Sequence, residues 1–150
     1  MLAEIGSFWW DSLMKISQKL EYACRALAQL ARQHDGKTLT RLEQLAKREA
    51  VSANFLVQIL NDLRRSGLIE SRRGKSGGYL LAMSPEDITL RQVVEAVDPS
   101  LLQSSVSAEG ESGGGVRQAW TGVSEALGAA LDSTTIAAIA RQSGGPMFYI

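Results

Sequence analysis

Two helix starts only twelve residues apart, the second helix closed by a glycine, constrain this chain more than any other feature. Thr40-Arg41-Leu42-Glu43 has the form of a capping box and opens a short helix through about Arg48. Ser52 caps the next, Ala53 to Ser66, and Gly67 stands where a left-handed residue commonly ends a helix. The turn between them, Glu49-Ala50-Val51, is about three residues long, the spacing of a helix-turn-helix. Leu68-Ile69-Glu70-Ser71-Arg72 and Tyr79-Leu80-Leu81-Ala82-Met83 then read as short strands around Arg73-Gly74-Lys75-Ser76-Gly77-Gly78, a hairpin loop. A hairpin directly after a helix-turn-helix is a wing. The expected fold is therefore mainly α with a small β-hairpin, a winged helix-turn-helix.

The flanking segments fit around this unit. From Ser17, Leu20, Cys24 (beside Ala23), Leu27, Leu30 and Ala31 recur at helical steps until His34-Asp35-Gly36. After a turn at Ser84-Pro85-Glu86-Asp87, a second capping box, Thr89-Leu90-Arg91-Gln92, starts a helix to about Val97. Ser, Gly, Glu and Gln dominate residues 98–115, the composition of a flexible connector. Val116, Trp120, Val123, Leu127 and Leu131 then form one stripe on a long helix, and Thr134 or Ser133 caps a last short helix through about Gln142. The expected division is an N-terminal extension 1–13, a DNA-binding unit 14–98, a linker 99–115, and a dimerisation helix with tail 116–150. The extension carries Phe8, Trp9 and Trp10 without periodicity; it is either a stretch upstream of a start at Met14 or an aromatic tail that docks on a partner.

On the second helix of the helix-turn-helix, Phe55, Leu56, Ile59, Leu60 and Leu63 are expected on the buried face. That leaves Ala53, Asn54, Val57, Gln58 and Asn61 outward. Asn and Gln pair bidentately with adenine, and an apolar side chain can meet a thymine methyl; the bland alternative is ordinary polar surface. Ser52 at the helix start suits a phosphate. Arg64, Arg65, Arg72, Arg73 and Lys75 are five cations within twelve residues against one acid, Glu70. With the backbone of Gly74 and Ser76, Arg64, Arg72, Arg73 and Lys75 are expected on the DNA backbone or in the minor groove. Gly74-Lys75-Ser76 is not a phosphate loop, because Ile69 stands where the first glycine is required and a strand follows.

Other chemistries find little support. Of 150 residues one is Cys and one is His, so disulfide frameworks and redox pairs have no material, and no Ser/His/Asp set can be built around the single His without special pleading. Cys24 on an apolar helix face reads as a small core residue, with a sensing thiol the sharper alternative. His34 lacks companions for a metal site. No enzyme activity, metal or cofactor is expected. No apolar run reaches the roughly eighteen residues of a membrane span, and Ile5-Gly6-Ser7-Phe8-Trp9-Trp10 lacks the basic flank and cleavage site of a signal peptide; with the cysteine usage, a cytoplasmic location is expected. Net charge is zero, with 16 Lys and Arg against 16 Asp and Glu, but the sum conceals an asymmetry. Residues 14–98 hold 14 cations against 10 acids, a net of +4, balanced by −4 outside them.

Several stretches together resemble the Rrf-type family of winged helix-turn-helix bacterial transcriptional regulators. They are Met14-Lys15-Ile16-Ser17, Glu21 through Leu27, Ser52 through Ser66, Gly67 through Leu81 and Val93-Val94-Glu95-Ala96-Val97, with weaker likeness at Trp120 and Thr134-Thr135-Ile136. The resemblance implies a homodimer whose long C-terminal helices cross, with Val116, Trp120, Val123, Leu127 and Leu131 at the interface. Two recognition helices would then sit on a palindromic operator of double-stranded DNA, most simply as a repressor. Cluster-binding members carry three cysteines in the segment corresponding to 98–115. This chain has none there, which places it with the cluster-free, CymR-like branch; Glu21, an acidic ligand position in some relatives, then reads as surface. The signal would come from a regulatory protein partner or a small-molecule effector. The competing reading is a dimeric interaction module controlled by such a partner, with DNA contact secondary; a third adds a redox or metal cofactor to DNA binding.

Overall fold

The structure is a computed structural model that describes residues 14–103 and 105–142. The N-terminal extension, with both readings of its aromatic residues, lies outside them.

Among the described residues, six helices and one hairpin follow in order. Helix α1 spans Gln18–Arg32 and is capped by Ser17, whose Oγ accepts from the Leu20 N–H at 3.1 Å. It buries Leu20, Ala23, Ala26, Leu27 and Leu30, the three- and four-residue recurrence expected of one core-facing stripe. Helices α2 (Leu42–Arg48) and α3 (Ala53–Arg65) form the helix-turn-helix. Ser52 Oγ caps α3 by accepting from the Phe55 N–H at 3.2 Å. Both helices end in paired backbone bonds that tie a left-handed residue to the last turn. At α3 the residue is Gly67, φ +79°, with Leu68 N–H donating to Leu63 O and Gly67 N–H to Arg64 O, each at 3.0 Å. At α2 it is Ala50, φ +55°, with Val51 N–H donating to Ala46 O at 2.9 Å.

Strands β1 (Ile69–Arg72) and β2 (Gly78–Leu81) pair antiparallel, Ile69 opposite Leu81 and Arg72 opposite Gly78. Thr40 does not cap α2. It is fully buried and adds a one-residue bridge to the hairpin, donating its N–H to Tyr79 O at 2.9 Å and accepting from the Tyr79 N–H at 2.8 Å. The cap position belongs to Arg41, whose N–H donates to Gln44 Oε1 at 3.4 Å. Gly78 makes the bridge possible, since a Cβ there would lie 2.6 Å from the Thr40 carbonyl oxygen. The wing is thereby fixed to the start of the helix-turn-helix.

Beyond a 3-10 turn at Pro85–Asp87, helix α4 (Leu90–Val97) carries the expected capping box. Thr89 Oγ1 accepts from the Gln92 N–H at 3.3 Å, and Gln92 Oε1 accepts from the Thr89 N–H at 2.9 Å. A second 3-10 turn, Pro99–Leu102, sets Leu101 and Leu102 against the core. The long helix α5 runs Gly113–Ser133, starting three residues before Val116 and taking the glycine run into its first turn. Helix α6, Ile136–Gln142, is capped by Thr135, which accepts from the Ala138 N–H at 3.2 Å. The hydroxyls expected to cap it, Ser133 and Thr134, donate instead to the Ala130 carbonyl at 3.0 Å each.

The C-terminal elements fold back into the first core. Leu90 N–H donates to Thr134 O and Ile136 N–H to Ile88 O, each at 2.9 Å, an antiparallel bridge centred on Thr89 and Thr135. Helix α6 packs on α1, and α5 on α4. Leu131 and Ile136 belong to the same buried cluster as Leu27, Leu45, Ile59, Leu63 and Val93. Arg91 reaches across to Asp132, Nε to Oδ1 at 2.6 Å, with its guanidinium over Gly128, where a Cβ would collide with it. Among the described residues no helix is long and apolar enough to cross a membrane.

Candidate nucleic-acid interface

The face that α3 turns outward is set by what the opposite face must bury. Leu56, Ile59, Leu60 and Leu63 are all at most 1% exposed, so the outward direction falls on Asn54 and Gln58, one turn apart and both exposed. Ala53, Val57 and Asn61 flank them and are half-buried. Phe55, expected inside, is 36% exposed. The Ser52 cap places it at the rim, where its ring meets Tyr22 edge-on at 5.6 Å. The Arg25 guanidinium stands 5.9 Å from the Tyr22 ring centre, within cation–π range.

Beside this face stands the wing. Gly77 N–H donates to Gly74 O at 3.0 Å to close its loop, Gly74 sits at φ +105°, and a Cβ on Gly77 would strike the Arg72 carbonyl. A loop this tight holds Arg73, Lys75 and Ser76 out into solvent. Arg72 is paired with Glu70, Nη2 to Oε2 at 3.1 Å, on the exposed surface, where such a pair is worth little and can be exchanged for a phosphate. Arg64, Arg73 and Lys75 have no carboxylate partner among the described residues. Arg65 is held by Asp62 at 3.4 Å, and Asp62 also takes Lys19 at 2.5 Å. Of the expected contact residues, Asn54 and Gln58 are exposed, Ala53, Val57 and Asn61 are half-buried, and Arg64, Arg73 and Lys75 are exposed cations without a carboxylate partner among the described residues. Ser52 Oγ accepts from the backbone but keeps its hydroxyl proton for a phosphate.

Arg41 is not among the residues expected on the DNA, because a place inside the Thr40–Glu43 capping box gives it no such role; the Thr40–Tyr79 bridge carries it to the side of the wing. The only sequence signal was Gly78, and its meaning depended on knowing which backbone approaches it.

On the stripe of α5, Val116, Trp120 and Val123 are 46, 56 and 55% exposed. Leu127 is half-buried, and Leu131 is buried against the chain's own core. Of the expected interface, Leu131 therefore faces inward. Cys24 is half-buried and lines an apolar cavity of about 290 Å³ with Leu20, Val94, Leu127 and Leu131 among its other walls. Burial, helped by the nearby Glu21 carboxylate, pushes its thiol up to about 11.

A helix-turn-helix that presents an amide-bearing helix face beside an arginine-bearing hairpin defines the class of winged-helix transcriptional regulators. The chain belongs to the Rrf2 family: residues 16–142 match the family described as "Rrf2: Iron-dependent Transcriptional regulator". It is 33% identical over 141 residues to the HTH-type transcriptional regulator CymR of Bacillus subtilis, covering 91% of this chain and all of that protein. It is 41% identical over 102 residues to the HTH-type transcriptional regulator IscR of Cereibacter sphaeroides, covering 67% of this chain and 65% of that one. Among solved structures, CymR of B. subtilis, described as the global cysteine regulator, superimposes with a TM-score of 0.77 at 30% identity, covering 88% of this chain and all of the other. T. potens IscR gives 0.70 at 30% identity over 93 and 99%.

The family description names iron. The donor set of this chain does not fit an iron centre held by several thiolates. It has one cysteine, whose thiol is driven toward its protonated form, and no three His, Cys, Asp or Glu among the described residues are grouped to hold a metal ion.

Proposed function

We propose that this regulator is a homodimer that binds a palindromic operator in double-stranded DNA, represses transcription there, and does so without an iron–sulfur cluster. The observation that carries the reading is an exposed amide pair, Asn54 and Gln58, on a helix that packs on the first strand of the wing, with Arg64, Arg73 and Lys75 exposed and without a carboxylate partner among the described residues. An exposed amide pair one turn apart on a major-groove helix supplies base readout, and an arginine-bearing wing supplies contacts to backbone and minor groove. The CymR and IscR relatives are transcriptional regulators, which supports regulation rather than catalysis. Ala53, Val57 and Asn61 complete the reading face, and Ser52, Arg72, Gly74 and Ser76 add backbone contacts. The exposed Val116, Trp120 and Val123 bring two copies together, with half-buried Leu127 at the edge of the contact. A regulatory protein or small-molecule effector sets the state.

Selection of bound sequences from a random DNA library tests this directly. The expected yield is an inverted repeat with half-sites about one helical turn apart. On that site Arg72→Ala/Arg73→Ala should weaken binding to all DNA and flatten its salt dependence. No enrichment, or an unchanged salt slope in the double variant, would overturn the assignment of the wing.

A further inference from the structure

Between the wing and the start of α2 lies an open groove of about 260 Å³, lined by Arg41, Arg72, Arg73 and Tyr79 among others. Three guanidinium-bearing residues thus meet one carboxylate-bearing residue, Glu43, along its walls. Arg72 is engaged by Glu70, while Arg41 and Arg73 have no carboxylate partner among the described residues. Like charges are held in proximity here by backbone, not by each other. The Thr40–Tyr79 bridge joins the two walls, and Gly78 lets the Thr40 carbonyl approach to a distance no Cβ would allow. A groove rigidified by main-chain bonds and left with excess positive charge is pre-organised for an anion, since the repulsion is already built into the fold and is relieved on binding.

We propose that this groove seats one backbone phosphate of the bound DNA, with Arg41 as a positioning residue that fixes the angle between wing and recognition helix on the duplex. The proposal rests on the DNA-binding reading above and adds to it a contact made by the helix-turn-helix and the wing jointly. The occupant is a phosphodiester because the groove joins the wing to the start of α2, the first helix of the helix-turn-helix, which crosses the DNA backbone while α3 enters the major groove. Arg41 contributes charge and reach, while Arg73 meets the same phosphate from the opposite wall.

The test uses the full chain, the selected operator, and copies of that operator in which single phosphates are replaced by uncharged methylphosphonates. Arg41→Ala should lower affinity for operator and random DNA alike and leave base preference unchanged. Its loss of one phosphate contact per half-site, two per dimer, should also cut by roughly twelvefold the affinity change between 50 and 200 mM salt, at a slope of about 0.9 per phosphate. Arg41→Lys should recover the salt slope. In the unsubstituted protein one methylphosphonate position on each half-site should weaken binding, and that position alone should become silent in Arg41→Ala. Inorganic phosphate at millimolar concentration should not compete; competition would assign the groove to a free anion and overturn the proposal. If Arg72→Ala/Arg73→Ala flattens the slope while Arg41→Ala does not, the groove is not a phosphate seat although the protein still binds DNA. If neither variant changes it, the assignment of the wing on which the proposal rests falls, and the groove with it.

Discussion

At the residue scale, burial decides chemistry more often than residue type does. Cys24 illustrates the point. Its apolar surroundings and the Glu21 carboxylate both disfavour the thiolate, holding the group near 11, so at neutral pH it is a thiol and a poor nucleophile. Alkylation by iodoacetamide should be far slower than for a free thiol at pH 7.5 and should rise steeply only as pH approaches 11. A fast reaction at neutral pH would show the group to be ionised and accessible. Because the folded-state value is raised, the protonated thiol contributes stability that is complete below the ordinary thiol value. That contribution is lost as pH climbs through the folded-state value. On α3, Gln58→Ala and Asn54→Ala should each cost about 1–3 kcal/mol on the best operator and relax preference at one base pair. Equal losses on operator and random DNA would assign these amides to plain polar surface. The amide face was legible from spacing alone, since α3 has one apolar stripe and the outward residues are whatever remains. The exposure of Phe55 was not, because its place depends on Tyr22 of a different helix.

At the scale of elements, the glycines and one alanine mark where backbone geometry is under demand. Gly78→Ala puts a Cβ 2.6 Å from the Thr40 carbonyl oxygen. The wing must then separate from α2, at a cost of about 1–3 kcal/mol, read as a lower urea midpoint together with weaker DNA binding at every sequence. Ala50 points the other way. It occupies the left-handed position that Gly67 fills on the next helix, and an L-residue is strained there by roughly 1–2 kcal/mol. After glycine's greater chain entropy is set against that strain, Ala50→Gly should raise stability by about 0.5–1 kcal/mol; an unchanged or lower denaturant midpoint would refute this. Helix starts were readable where the cap is local, as at Ser17, Ser52 and Thr89. They were misplaced where a tertiary partner claimed the capping residue. Thr40 has the right side chain for a cap, but its backbone is taken by Tyr79. Thr134 lends its carbonyl to Leu90, so Thr135 becomes the cap.

For the molecule as a whole, α5 has two different halves. Its C-terminal half, with Gly128 and Leu131, is built into the core and clasped by Arg91 to Asp132. Its first half exposes Val116, Trp120 and Val123, apolar area that a second copy would cover. Trp120→Glu should shift sedimentation from dimer to monomer and abolish tight binding to a palindrome while sparing weak half-site binding; a dimer that persists would place the interface elsewhere. The stripe itself was visible in the sequence, but not the point along it where intrachain packing gives way to solvent. That boundary is set by the pairing of residues 88–90 with 134–136, which brings two segments together over more than forty positions. The same pairing has a genetic consequence. Because Leu131, Ile136 and Ala137 complete the core that supports the helix-turn-helix, an allele stopped after residue 98 would yield an open, poorly folded fragment. Such an allele should behave as a recessive null, cleared by proteolysis, and not as a dominant poison occupying operators in competition with the full-length product.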